Sequence, residues 1–211
     1  MELININFKE FREDAYQKYI EIFPEEERKT LETIERNYNK NITRFIKIAE
    51  ENKLIGFFIM NSIENNRYMQ LDYFAILPEY QNKGYGTKAI KELKKVVLNY
   101  DTIFVEIEKL GCGANKVENK IREKRAKFYD RLEFNKLNVD LKWFNSLFLS
   151  IYYLKLNENL TYDEEEILNN IFEIYYKVHG KKKVDENCEI IKWFSLTKVR
   201  KKANNIIRED L

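Results

Sequence analysis

Apolar and polar residues alternate with two different periods along the first part of the chain. Apolar residues recur every three or four positions in EFREDAYQKYIEIF (10–23) and EEERKTLETIERNYN (25–39), which predicts two helices after a short strand at NINF. The runs TRFIKIAEE, LIGFFIMNSI and YMQLDYFAIL are rich in β-forming residues and are joined only by the polar links NK and ENNR. Because such short links favour antiparallel neighbours, these three strands are expected to form a β-meander.

The next segments predict a helix between two parallel strands. TKAIKELKKVVLNY (87–100) has an apolar face and a lysine-rich face, and TIFVEIE (102–108) follows as a strand. A strand, a crossover helix and a strand in this order normally form a right-handed parallel unit. A helix through REKRAKFYDRL (122–132) then precedes the candidate strands FNKLNVDL and SLFLSIYYLKL. We therefore predict the α+β class, with a mixed, largely antiparallel sheet flanked by helices.

From residue 157 onward the pattern is helical. Thr161 and Glu164 have the spacing of a capping box, and Gly180 suits the end of that helix. A second helix, amphipathic and basic, is predicted within residues 186–210. The prediction is therefore one domain over residues 1–156 and a C-terminal helical extension over residues 157–211. The extension is expected to pack on the domain or to form a subunit contact, as in a homodimer.

Composition narrows the class of protein. At 211 residues with 44% apolar content the chain can form a packed core, and no apolar run approaches the ~18 residues that span a bilayer. The expected location is cytoplasmic, without a membrane partner. A formal charge of +2 from 37 basic and 35 acidic residues gives no overall attraction to nucleic acid.

The residues that most often bind metals or form catalytic triads are scarce. Cys112 and Cys188 have no partner at a metal-ligand spacing, and the sequence contains one histidine, His179. Zinc sites and Ser-His-Asp or Cys-His catalysis are therefore disfavoured, and no metal is expected. Because His179 precedes Gly180, it is interpreted as a cation at the end of a helix, where it suits the helix dipole.

Gly84 and Gly86 lie one residue apart in QNKGYG (81–86), between the third strand of the meander and a helix. Glycine is favoured where the backbone needs a positive φ or where a ligand must approach it closely. One interpretation is a dinucleotide fingerprint, because Gly84, Gly86 and Ala89 fit G-x-G-x-x-G/A and Glu106 lies where a ribose-binding acid is expected. It is disfavoured, because six residues separate the strand from Gly84 and the preceding strands read as antiparallel.

The same loop resembles motif A of the GNAT acyltransferase superfamily, Gln/Arg-x-x-Gly-x-Gly/Ala, which Gln81, Gly84 and Gly86 match. AKFYDRLEF (126–134) resembles the A-x-x-FY-x-x-x-GF segment of that family, with Glu133 in place of the usual glycine, which predicts a wider turn there. Two motifs in the right order, with a strand between them, indicate a GNAT-like fold over about residues 3–156.

The resemblance implies acetyl-CoA (coenzyme A) as the cofactor. Its pyrophosphate would lie against main-chain N–H groups at the start of a helix, which form an anion-binding nest. The family places the pantetheine arm beside the backbone of Ile76 and Leu77. The phosphates would lie against the loop residues Gln81, Asn82, Lys83, Gly84, Tyr85, Gly86 and Thr87.

The family mechanism implies direct attack of an amine on the acetyl thioester while both substrates are bound. Tyr129 matches the position at which the family often has the proton donor to the leaving thiolate. Asp72 and Glu106 are the candidates for the base, because an acid inside an apolar strand is costly to bury without a function or an ion pair. Cys112 as an acyl-carrying nucleophile has no visible base near it.

Strand alternation separates the acids. Glu106 and Glu108 are expected to share one face of their strand, and Asp72 is expected to share a face with Phe74 and Ile76.

The predicted function is therefore transfer of an acetyl group from acetyl-CoA to a primary amine of a small molecule or peptide. The acidic residues Glu25, Glu26 and Glu27 could attract a cationic amine, or could simply stabilise the start of a helix. Two alternatives stay open: a non-catalytic acetyl-CoA-binding module, and an RNA- or protein-associated adaptor that uses the basic C-terminal helix.

Overall fold

The structure is a computed structural model that describes residues 1–144, 146–161 and 163–192, except for the side chain of Lys192. In these residues eight strands form one sheet in the order β1-β2-β3-β4-β5-β7-β6-β8, in which β4 and β5 pair parallel and the other neighbours pair antiparallel. The strands are β1 Glu2–Ile6, β2 Thr43–Glu50, β3 Lys53–Asn61, β4 Tyr68–Ile76, β5 Thr102–Glu108, β6 Asn135–Trp143, β7 Leu147–Lys155 and β8 Cys188–Lys192.

Helices cover both faces of the sheet. They are α1 Phe8–Asp14, α2 Tyr16–Ile22, α3 Leu31–Asn39, α4 Tyr85–Val96, α5 Lys116–Asp130, α6 Glu164–His179 and α7 Lys181–Asn187. Buried side chains of α4 and α5 form one core cluster on one face. Two further clusters lie on the opposite face, one with α1 to α3 and one with α6 and α7. The α+β class with a mixed, largely antiparallel sheet is thereby confirmed.

The meander and the parallel unit predicted from the sequence are both present. β2, β3 and β4 pair antiparallel in sequence order, and β5 pairs parallel with β4. The first predicted helix, however, is divided into α1 and α2 at Ala15, which has φ −121° and ψ −21°. The second predicted helix begins at Leu31, six residues later than predicted, because Thr30 caps α3 by accepting a hydrogen bond from Thr33 N.

β4 and β5 diverge after a short stretch of pairing. Their parallel register covers only Tyr68–Gln70 against Thr102–Phe104. Just beyond the end of β4, Leu77 N–H donates to the carbonyl of Ile55 on β3 at 2.9 Å. Because main-chain groups of a strand alternate between its two edges, those of Ile76 point away from β3 and into the gap. Among the described residues no strand pairs with this edge of β4 beyond Gln70, although the Ile76 carbonyl accepts a hydrogen bond from Gln81.

A β-bulge reorients one of the predicted catalytic acids. The register of β3 against β4 skips one residue, Asp72. Its side chain pairs with Lys29, on the face of the sheet covered by α1 to α3. Phe74 and Ile76 pack instead toward α4 and α5. The expectation that Asp72 shares a face with those two residues is therefore wrong, because the bulge interrupts the alternation.

The turn after α5 is regular. Glu133 takes φ +67°, and the N–H groups of Glu133 and Phe134 donate to the carbonyls of Asp130 (3.1 Å) and Tyr129 (3.2 Å). This is the Schellman pattern, with Glu133 in the left-handed position usually occupied by glycine. The wider turn expected from the missing glycine is therefore wrong, because Glu133 adopts the glycine conformation.

The C-terminal part differs from its prediction at two points. The capping box at Thr161 is wrong, because α6 begins at Glu164 with Asp163 as its N-cap residue. Glu164 instead accepts hydrogen bonds from the main chain and side chain of Asn138. The second helix is wrong over residues 188–192, which form β8 beside β6. The remainder of that predicted helix, residues 193–210, lies outside the described residues.

Candidate active site

A cavity of about 570 Å³ opens where β4 and β5 diverge. Both strands, the segment before α3, α5 and the C-terminal helices contribute to its walls. Among its lining residues are Gln70, Asp72, Glu106, Glu108, Glu26, Glu27, Arg28, Lys29, Thr30, Arg125, Tyr129, Tyr175, Val178, His179 and Lys183. The three residues predicted to be catalytic, Asp72, Glu106 and Tyr129, therefore border one space.

Glu106 is held between the sheet and α6. Gln70 Nε2 on β4 donates to Glu106 Oε1 at 3.0 Å and to Oε2 at 3.3 Å. From the other side the hydroxyl of Tyr175 donates to Glu106 Oε1. The register of β5 against β7 is unbroken, so Glu106 and Glu108 share one face of the strand, as expected from alternation. Because Val105 and Ile107 pack in the core cluster with α4, Glu106 faces away from that helix, which argues against the ribose-binding role required by the dinucleotide interpretation.

The pKa of Glu106 is raised from 4.5 to about 7. Burial is the largest cause, and the negative charge of Asp72 adds to it, while the hydrogen bonds from Tyr175 and Gln70 lower the pKa. A carboxyl group that titrates near neutrality can exist in both protonation states at the pH of a cell. This is the property expected of a general base.

Asp72 is the partner of a buried cation. Its carboxylate forms an ion pair with Nζ of Lys29, and the side chains of both residues are largely buried, at 11% and 13% exposure. The main chain of Lys29 is fixed in turn, because its N–H donates to the hydroxyls of Tyr19 (2.7 Å) and Tyr73 (3.1 Å). Asp72 is therefore paired with a cation, whereas Glu106 bonds to the neutral side chains of Gln70 and Tyr175.

Tyr129 approaches the cavity from the α5 side of the sheet. Its ring is 5% exposed and packs edge-on against Phe128 and Phe134, with ring centroids 5.2 Å and 5.0 Å away. Burial and the charge of Glu106 raise the pKa of the phenol, so that it stays protonated at neutral pH. Within the described residues no group accepts a hydrogen bond from its hydroxyl, which borders the cavity.

Among the described residues, no acceptor bonds to the main-chain N–H groups at the start of α4. Gly84, the N-cap residue, has φ +82°, and no side chain caps this helix end. The N–H groups of the first helical turn have no partner inside a helix, and α4 begins its ladder with Lys88 N–H donating to Gly84 O. Asn82 also has a positive φ, of +60°. The arrangement suits an anionic group, because it combines free donors with the positive end of the helix dipole.

The two glycines of this loop have different roles. A Cβ added at Gly84 would meet no heavy atom within 4 Å, so only its left-handed backbone favours glycine and the space beside it is open. A Cβ at Gly86 would lie 3.4 Å from the ring of Phe128 on α5. Gly86 therefore lets the two sequence motifs pack against each other, which the sequence analysis did not foresee.

The rest of the predicted cofactor segment lies around this helix start. Gln81 Nε2 donates to the carbonyl of Ile76 at 2.9 Å, across the corner between β4 and the loop. Lys83 Nζ donates to Glu79 O at 2.8 Å, and the hydroxyl of Tyr85 pairs with Glu50. Thr87 lies in the first turn of α4 and is exposed.

His179 lies at the end of α6, as the sequence indicated, but it is not a cation. Burial and the nearby charges of Lys29 and Lys183 lower its pKa to about 2. The neutral ring packs near Trp143, at a centroid distance of 5.2 Å, and lines the cavity. The interpretation of His179 as a positive charge on the helix dipole is therefore wrong, because desolvation outweighs the dipole.

The two cysteines are placed differently. Cys112 is exposed on the loop after β5 and does not line the cavity. Cys188 starts β8, and burial raises the pKa of its thiol to about 12. A thiol with so high a pKa is a poor nucleophile at neutral pH.

Three residues of the site were missed by the sequence analysis: Gln70, Lys29 and Tyr175. Gln70 carried a usable signal, because it is a polar residue inside the apolar strand YMQLDYFAIL. Lys29 and Tyr175 carried none, since each sits in an ordinary helical pattern. Of the acids predicted to attract an amine, Glu26 and Glu27 line the cavity, and Glu25 does not.

Comparison with known protein families agrees with the fold. The chain matches the acetyltransferase (GNAT) family over residues 8–134, which is more than half of its length. It therefore belongs to that family, and the resemblance seen in the two motifs is confirmed. No curated protein is significantly similar to the chain.

Solved structures share the same architecture. A GNAT-family acetyltransferase from Bacteroides thetaiotaomicron has a TM-score of 0.64 at 18% identity, over 85% of this chain and 99% of its own. The ribosomal-protein-S18-alanine N-acetyltransferase of Escherichia coli has a TM-score of 0.54 at 16% identity, over 76% and 99%. Spermidine N-acetyltransferase from Vibrio cholerae, in complex with CoA and spermine, has a TM-score of 0.54 at 20% identity, over 74% and 95%. At these identities the likeness concerns the fold.

Proposed function

We propose that the protein is an acetyl-CoA-dependent N-acetyltransferase that acetylates a primary amine of a small molecule or peptide by direct attack in a ternary complex. The observation that carries the proposal is the cavity at the divergence of β4 and β5. There an acid that titrates near neutrality, Glu106, borders the same space as Tyr129, a protonated phenol whose hydroxyl has no partner in the described part of the chain.

The residues present fit coenzyme A. The main-chain groups of Ile76 face the gap between β4 and β5, where a pantetheine arm could pair like a missing strand. The diphosphate would lie against the first turn of α4, with Gly84 leaving open space beside it. The thioester would then reach the cavity between the two strands.

The proposed chemistry assigns one proton transfer to each residue. The amine nitrogen bonds to the thioester carbonyl carbon, and its proton passes to the Glu106 carboxylate, directly or through water. The carbon–sulfur bond then breaks, and Tyr129 donates its phenolic proton to the departing thiolate. Asp72 is assigned a positioning role, because its carboxylate is committed to Lys29.

The acceptor would enter from the side of residues 23–28 (FPEEER) and α3. Glu26 and Glu27 line this part of the cavity and could attract a cationic amine, although Arg28 and Arg36 line it as well. This mixed lining supports an amine acceptor without choosing between a polyamine, an aminoglycoside and a peptide N-terminus.

Thiol release tests the function. The protein is mixed with acetyl-CoA and a panel of polyamines, aminoglycosides and peptides with free N-termini, and acetylated products are identified by mass. We expect release that depends on both substrates. Binding of coenzyme A without turnover on any acceptor would favour the non-catalytic module.

The pH dependence tests the assignment of the base. Because the pKa of Glu106 is about 7, kcat/KM is expected to rise with pH and to level off above that value. Glu106→Gln should abolish the rise and lower the rate by roughly 10²-fold or more. Asp72→Asn should keep the rise. The base would be Asp72 if the two variants behaved in the opposite way.

A further inference from the structure

The hydroxyl of Tyr175 reaches the predicted base from a part of the chain that the family match does not cover. Tyr175 lies on α6, beyond residues 8–134 and beyond the predicted acyltransferase domain at residues 1–156. It is 1% exposed, lines the cavity and donates a hydrogen bond to Glu106 Oε1. The C-terminal segment therefore contacts the carboxylate itself.

A row of hydrogen-bonded polar side chains crosses the four neighbouring strands β2, β3, β4 and β5 and ends at the same carboxylate. Thr43 Oγ1 donates to Asn61 Oδ1 at 2.6 Å, and Asn61 Nδ2 donates to Gln70 Oε1 at 2.8 Å. Gln70 Nε2 donates to Glu106. Because each amide oxygen accepts from the residue before it, each amide turns its N–H toward the next, and the row presents a donor to Glu106.

Packing fixes where the Tyr175 hydroxyl can lie. Ile171, Ile174 and Val178 of α6 are fully buried in the core cluster formed with β5, β6 and β7. The ring of Tyr175 stands edge-on to those of Trp143 (5.7 Å) and Phe104 (6.2 Å). The hydroxyl therefore stays at Glu106 as long as α6 is docked.

We propose that Tyr175 is a positioning residue for Glu106, so that α6 completes the active site. This inference rests on the proposed function in that it takes Glu106 as the base. Gln70 on β4 and Tyr175 on α6 both donate to Oε1 of the carboxylate, which fixes its orientation toward the incoming amine. Both favour its charged form, because each donates a hydrogen bond to it.

Besides Tyr175, titratable groups from three elements interact with Glu106. They are Asp72 on β4, Tyr129 on α5 and Cys188 on β8. Asp72 opposes ionisation of Glu106 by like-charge repulsion, although its own charge is paired with Lys29. The Tyr129 phenol and the Cys188 thiol stay neutral below about pH 10, because their pKa values are raised. Over the pH range in which Glu106 titrates, the effect of the Tyr175 hydrogen bond on the pKa of Glu106 can therefore be separated from the effects of these other groups.

The test compares Tyr175→Phe with Tyr176→Phe. Tyr176 is the next residue of α6, the charge of Asp185 acts on its phenol, and it does not line the cavity, so this control removes a hydroxyl of the same helix away from the site. Two readouts are followed in each variant: kcat/KM against pH, and the titration of the Glu106 carboxyl by NMR of ¹³C-glutamate-labelled protein. The Glu106 resonance is assigned by its loss in Glu106→Gln.

In Tyr175→Phe we expect the acid limb of the profile and the Glu106 titration to move together to higher pH, by about one pH unit. The rate at high pH should fall less than the rate at low pH, because Gln70 still holds the ionised carboxylate, and Tyr176→Phe should move neither readout. An equal loss of rate at every pH with an unmoved Glu106 titration would overturn the proposal. If the wild type acetylates no acceptor, the proposed function fails and the titration alone decides: a moved pKa supports the contact, and an unmoved one overturns it.

Discussion

At the scale of single residues, opposite influences meet at Glu106. Burial and the charge of Asp72 disfavour its ionised form, while donors from Gln70 and Tyr175 favour it. The balance leaves the pKa at about 7, well above the 4.5 of an unfolded chain. A folded protein that holds a proton more tightly than the unfolded chain loses stability as the pH rises through that interval.

Glu106→Gln should therefore change stability in a pH-dependent way. The wild type loses stability between about pH 4.5 and pH 7, because its folded state must give up a proton that the unfolded chain has already released. Above pH 7 the variant should be the more stable by up to about 3 kcal/mol, and below pH 4.5 the two should be alike. Denaturant melts at pH 4 and pH 8 measure the difference. A difference in the free energy of unfolding that was equal at pH 4 and pH 8 would contradict the raised pKa of Glu106.

Tyr129→Phe removes the phenolic proton but keeps the ring. Packing against Phe128 and Phe134 should persist, and coenzyme A affinity with it, while turnover falls by roughly 10²-fold. Tyr152→Phe is the matched control, because Tyr152 is also buried in this cluster, 6.4 Å from Tyr129, but does not line the cavity. Pre-steady-state turnover is the measurement. Wild-type rates in Tyr129→Phe, with chemistry limiting, would assign the proton to water or another residue.

The two candidate catalytic acids show what can and cannot be inferred from the sequence about single residues. Asp72 and Glu106 could be found because acids are out of place in apolar strands. The choice between them could not be made, since it depends on Lys29, which is distant in sequence and reaches Asp72 only through the bulge in β4. Alternation assumes an unbroken ladder, so a one-residue bulge is invisible to it.

At the scale of elements, the turn from β4 into α4 combines two constraints. The strand needs an unpaired edge, and the helix needs an uncapped start with a left-handed residue before it. Both follow locally, which explains why the six-residue motif QNKGYG could be recognised from sequence. The packing of Gly86 against Phe128 could not, because it joins two motifs that are about forty residues apart.

A side chain at Gly84 should leave the fold intact but should prevent binding of coenzyme A. Gly84→Glu adds a carboxylate beside the free N–H groups, where it would repel a diphosphate, so coenzyme A binding should be lost in calorimetry. Gly111→Glu is the control: Gly111 has φ +77° and equally open surroundings, so the backbone strain of about 1–2 kcal/mol is matched. Similar loss of binding in both variants would mean that strain, and not charge at the loop, is responsible.

The strands were the most predictable elements, and the C-terminal ones the least. β5 coincides with the predicted TIFVEIE, because its flanks are polar and its interior is apolar. β8 was missed, because CEIIK has a helical spacing of apolar residues and becomes a strand only through its pairing with β6. Tertiary contact decided its conformation against local propensity.

At the scale of the whole molecule, the sheet is continuous from β1 to β8, and α6 packs over its second half. The described residues contain no helix long and apolar enough to cross a bilayer. A division at residue 156 remains a prediction. The buried apolar residues of α6, however, share one core cluster with β5, β6 and β7.

Ile171→Ala tests whether the extension folds with the domain. Ile171 is fully buried, so its truncation should cost about 2–5 kcal/mol. If both parts form one cooperative unit, the whole transition should move to lower denaturant concentration without splitting. Lys177→Ala, an exposed position of the same helix, should have little effect. A separate early transition, with the rest of the protein unchanged, would establish an independent C-terminal unit.

The position of Tyr175 in the chain has a consequence for the order in which the site is made. When a ribosome has synthesised residues 1–156, both motifs, the loop before α4 and Glu106 itself already exist. The hydroxyl that holds Glu106 from the other side is still nineteen residues from being made. We therefore expect nascent chains of increasing length to acquire coenzyme A binding before they acquire turnover, which arrested chains of defined length would reveal.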